Sequence, residues 1–122
     1  MSNPPTMTNP QRALQLWSLL TLAAMTRTIL TYEEVAKLTG LPQNSGSTLG
    51  HLYFYCAKHD LPLLSALVVQ KDTGRPHPHG PYESMDIPAE HRRCFAHDWL
   101  NTAVPSLKAL EDAYKEQRIP AA

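Results

Sequence analysis

The sequence predicts an α+β domain, mostly α, and three observations predict it. Apolar residues recur at helical spacing in several separate segments of the 122-residue chain. One short run rich in β-branched residues, SALVVQ (Ser65 to Gln70), reads as a buried strand. Proline and glycine then crowd GRPHPHGPY, Gly74 to Tyr82, which can lie extended but cannot form a regular ladder, because proline lacks an N–H donor.

A chain of this length is one domain by size and buries enough surface to fold without staples. Residues 1–10 are polar with three prolines and are expected to form a disordered tail. The domain then runs over 11–122, with a helical extension over about 86–118. Eleven basic and eleven acidic residues balance and are evenly spread. That removes the simplest argument for a nucleic-acid partner, a strongly basic domain, and leaves only a local basic patch as an electrostatic footprint. Cys56 and Cys94 are too few for a disulfide framework and read as free thiols of an intracellular protein.

The first helix is expected from Gln11 to Thr26. Ala13, Leu16, Trp17, Leu20 and Ala24 share one face, and Gln11, Gln15 and Ser18 share the other. The apolar run faintly resembles a signal peptide, but Gln15, Ser18 and Thr21 interrupt it and no clear cleavage site follows. It is too short to span a membrane, so a cytoplasmic protein without membrane contact is expected. Thr28 to Leu30 reads as a short extended piece.

TYEEVAKLTGLP, Thr31 to Pro42, carries the clearest helix signals. Thr31 and Glu34 form a capping box, Val35, Ala36 and Leu38 supply the buried side, Gly40 suits the left-handed C-terminal position, and Pro42 stops continuation. QNSGST makes a turn, with Asn44 or Ser45 as the next cap. A second helix follows to about His59. Its apolar stripe is Leu49, Leu52, Tyr53 and Cys56; Asn44, Thr48, His51, Tyr55 and Lys58 line the opposite, polar face. Two short helices joined by a glycine-containing turn match a helix-turn-helix, whose second helix offers its polar face to DNA. The turn KDTG, Lys71 to Gly74, and the arm that follows complete the layout of a winged helix. At the C-terminal end, Asp86 and Pro88 open a helix carrying Phe95, Trp99 and Ala103 on one face, broken at Pro105. Leu107, Leu110 and Tyr114 mark a last amphipathic segment. Such a helical arm carries surplus apolar surface, which suggests a homodimer through the C-terminal helices.

This order resembles the DNA-binding half of alkylguanine-DNA alkyltransferase and its alkyltransferase-like relatives. TYEEVAKLTGLP is similar to that family's tyrosine-containing first helix and Gly-x-Pro turn. LGHLYFYCAKHDLP, Leu49 to Pro62, stands where the family has its recognition helix. LLSALVVQKDTGRPHPHGPY, Leu63 to Tyr82, stands where it has Pro-Cys-His-Arg-Val, a turn and a glycine-tyrosine wing. The resemblance covers about half of the chain. It implies a winged-helix fold and puts Tyr32 where the family's tyrosine helps turn a nucleotide out. Aligned through Val68 and Val69, the alkyl-accepting cysteine is Ser65 and its histidine is Ala66. A serine without an adjacent base is a poor nucleophile, so no alkyl transfer, no catalytic residue and no cofactor are expected. SGSTLG, Ser45 to Gly50, lacks the family's inserted arginine.

The leading expectation is a non-catalytic protein that binds nucleic acid through Tyr32, Thr48, His51, Tyr55 and Lys58, with Lys71 and Arg75 on the wing. The alternative is a small protein-interaction module, such as a regulator, inhibitor or immunity-type protein. His77, His79, His91, Cys94 and His97 are of metal-ligand type. Yet His91 and His97 point to different sides of a helix and the prolines favour an exposed arm, so no metal is expected. Cys94 with His91 or His97 also suggests thiol chemistry, but spacing of that kind arises readily by coincidence. Arg92 and Arg93, with Lys71 and Arg75, form either a phosphate patch or a solvated face, the latter being favoured.

Overall fold

The computed structural model describes residues 7–40, 46–76 and 82–117. Helix α1 spans Asn9–Met25. It starts two residues before the expected position because Thr8 and Gln11 form a capping box of their own: Thr8 Oγ1 accepts from Gln11 N at 3.3 Å and Gln11 Oε1 accepts from Thr8 N at 2.8 Å. All five residues of its expected core face are buried. A reversal through Arg27, at φ 54°, leads to strand β1, Leu30–Thr31. Thr31 then caps α2, Tyr32–Thr39, by the capping box legible in the sequence, with bonds of 3.1 and 3.0 Å. Gly40 closes α2 at φ 74°, in the left-handed region that glycine enters without steric cost. Of the expected buried side of α2, only Val35 is fully inside; Ala36 is half-buried and Leu38 is exposed, because two turns of helix rest on the core along one edge.

Helix α3 is Gly46–Lys58. The expected caps Asn44 and Ser45 lie outside the described residues. The segment read as one strand is only partly so. Leu64–Leu67 forms a 3-10 turn, and β2 is Val68–Val69 alone. β2 pairs with β1 in parallel, Leu30 opposite Val68 and Thr31 opposite Val69. A parallel pair needs a crossover, which α2 and α3 supply. The turn after β2 is closed by Gln70 N donating to Arg75 O at 2.8 Å, with Gly74 at φ 69°. Its outer arm, with His77 and His79, lies outside the described residues.

Asp86 caps α4, Ile87–Ala96, with Pro88 in its first turn, as the sequence suggests. The helix ends nine residues before Pro105. Asp98 accepts from Asn101 N and starts a 3-10 turn, Trp99–Asn101, so Trp99 swings into the core and its Nε1 donates to Cys94 O at 2.8 Å. Phe95, Trp99 and Ala103 therefore do not share a helical face: Trp99 is buried, Phe95 half-buried and Ala103 exposed. Helix α5, Leu107–Glu116, is capped by Ser106.

The chain is thus mostly helical with a two-stranded parallel sheet. α1, α3 and α5 pack on one another, while α4 braces the 3-10 turn before β2. Trp17 sits at the junction, edge-on to Tyr55 and to Trp99 at centroid distances of 5.7 and 5.6 Å. No helix among the described residues is long and apolar enough to cross a membrane.

Candidate functional site

The face of α3 expected to meet a nucleic-acid groove is covered by the protein itself. Thr48, His51 and Tyr55 are 2%, 4% and 8% exposed. Tyr55 points inward to Trp17 and is half-sandwiched by His59. Burial raises its phenol pKa above the ordinary value. His51 faces α5. Its ring lies parallel to that of Tyr114, with centroids 4.0 Å apart and planes 6° from parallel, and its Nδ1 donates to Ser47 O at 2.6 Å. Lys58 is exposed, and its Nζ is 2.9 Å from Glu116 on α5. Thr48, His51 and Tyr55 are covered although the sequence reads them as exposed, because polarity alone does not separate a solvated stripe from one packed against other helices.

Gly50 explains how α5 comes so close. A Cβ built at that position would lie 3.1 Å from Cε2 of Tyr114, so the absent side chain leaves room for the ring. Phe54 meets the same ring from the side at 6.1 Å. Leu110 and Ala113 of α5 are fully buried, whereas Leu107 on the same helix and Leu100 and Val104 before it are exposed. Gly50, Asp112, Tyr114 and Glu116 are site residues that sequence reasoning missed. The amphipathic stripe of α5 signalled a buried helix but not its seat.

In the turn after β2, Lys71 and Arg75 are both exposed. Arg75 is nonetheless engaged: its Nη2 donates to the carbonyls of Tyr82 and Met85, both at 3.1 Å. It ties the returning chain to the turn. Tyr32 is half-buried against the core at the start of α2. Arg92 is exposed, whereas Arg93 pairs with Glu90 at 2.9 Å. The seven candidate contacts are therefore not brought to one surface.

At the position aligned with an alkyl-accepting cysteine, Ser65 is buried and its hydroxyl is hydrogen-bonded to that of Tyr82. Burial raises the Tyr82 phenol well above its ordinary range, so it remains a neutral hydroxyl. Tyr53 packs edge-on against Tyr82 at 5.6 Å. The nearby His91 donates Nε2–H to Ala66 O at 2.6 Å. That nitrogen therefore has no lone pair to offer a hydroxyl or a metal. Glu90 is buried too; its Oε2 accepts from Leu63 N at 2.8 Å, and both of its oxygens accept from Arg93. The carboxylate fixes the loop that carries Ser65. Cys56 and Cys94 are free and buried, and desolvation pushes both thiols up to about 12. Among the described residues no group of three or more histidine, cysteine or acidic side chains is placed to hold a metal ion. No buried polar side-chain atom among them lacks a hydrogen-bond partner.

No protein-family model matches this chain, and no curated protein or solved structure matches it.

Proposed function

We propose that this chain is a non-catalytic protein-interaction module on an alkyltransferase-like, winged-helix scaffold. One observation carries the reading: on the polar face of α3, His51 and Lys58 meet the amphipathic helix α5, and Tyr55 turns inward to Trp17. A face that already recognises a helix is a protein interface in its chemistry. The balanced charge agrees, since nucleic-acid binding rests on neutralising several phosphates. Of the candidate cations, Lys58 is paired with Glu116, and Arg75 holds two backbone carbonyls.

The scaffold part of the proposal draws on the capping box at Thr31, the left-handed Gly40 and the turn from Ser65 into Val68–Val69. The non-catalytic part draws on Ser65, whose hydroxyl is bonded to a neutral phenol, with Ala66 where an activating histidine would stand. Incubation with DNA containing alkylated guanine should leave the protein's mass unchanged; a stable gain of one alkyl group would contradict it.

The direct test is titration of wild-type protein with labelled duplex and single-stranded oligonucleotides in low salt, where electrostatic binding is strongest. The reading expects no binding with a steep salt dependence. Specific binding whose affinity collapses as salt rises would restore the nucleic-acid function and refute the interaction module.

A further inference from the structure

We draw no further inference here: the strongest candidate, the exposed apolar surface patch of Leu100, Val104 and Leu107 around the connector into α5, carries nothing because nothing in the structure shows what covers it.

Discussion

Ser65 and Tyr82 satisfy each other's hydroxyls across seventeen residues of chain, with Ser65 buried and Tyr82 half-buried. Removing the Tyr82 hydroxyl leaves that of Ser65 buried and unpaired. Tyr82→Phe should therefore cost about 1–3 kcal/mol in a denaturant melt, while Tyr82→Phe with Ser65→Ala should recover most of the loss. The two cysteines make a second test. Their folded thiols titrate near 12 against an ordinary 9.0, because burial disfavours the thiolate. The folded state therefore holds protons that the unfolded chain releases. That contribution is complete below pH 9 and is lost as pH rises from about 9 toward 12. Native protein at pH 8 should react with a thiol reagent only at the rate of unfolding; fast labelling of both cysteines would contradict this burial. These pairings were only partly legible in sequence. Cysteines on helices could be read as free, but nothing near Ser65 announces that its partner is Tyr82, seventeen residues on.

The elements that could be read are those fixed by neighbours in the chain. Thr31, Glu34 and Gly40 lie within one short helix, and their chemistry is local: a hydroxyl for an orphan N–H, a glycine for positive φ. Gly40→Ala should cost about 1 kcal/mol or more of stability, since φ 74° is unfavourable for a side chain. The elements misread are those fixed by distant contacts. SALVVQ has strand composition throughout, yet the Glu90 carboxylate holds Leu63 N and the chain turns through Leu64–Leu67 before it can extend. The α4 helix stops where Trp99 finds the core. The seat of α5 is the extreme case, for Lys58 and Glu116 are 58 residues apart. Leu110→Ala should destabilise the protein by about 2–5 kcal/mol, as for a fully buried leucine, and a urea midpoint that hardly moves would show that α5 is not seated there.

At the scale of the whole molecule, three helices share one core, in which α1 meets Tyr55 and α5 meets His51 of α3. The overall class, mostly helical with a small sheet, follows from periodicity and was legible. The parallel pairing of β1 with β2 was not, because each strand is two residues long and carries no register signal of its own. The burial of Thr48, His51 and Tyr55 was not legible for a related reason. His51 and Tyr55 are polar by name but bury ring surface against Tyr114 and Trp17. The most direct measurement is the proton spectrum of the His51 ring. Stacking at 4.0 Å on Tyr114 should shift its resonances upfield by ring current, the shift should vanish in Tyr114→Ala, and low-salt duplex DNA should leave it unchanged in wild type. A wild-type His51 ring at solvent-exposed shifts, or one that moves when duplex is added, would contradict the account.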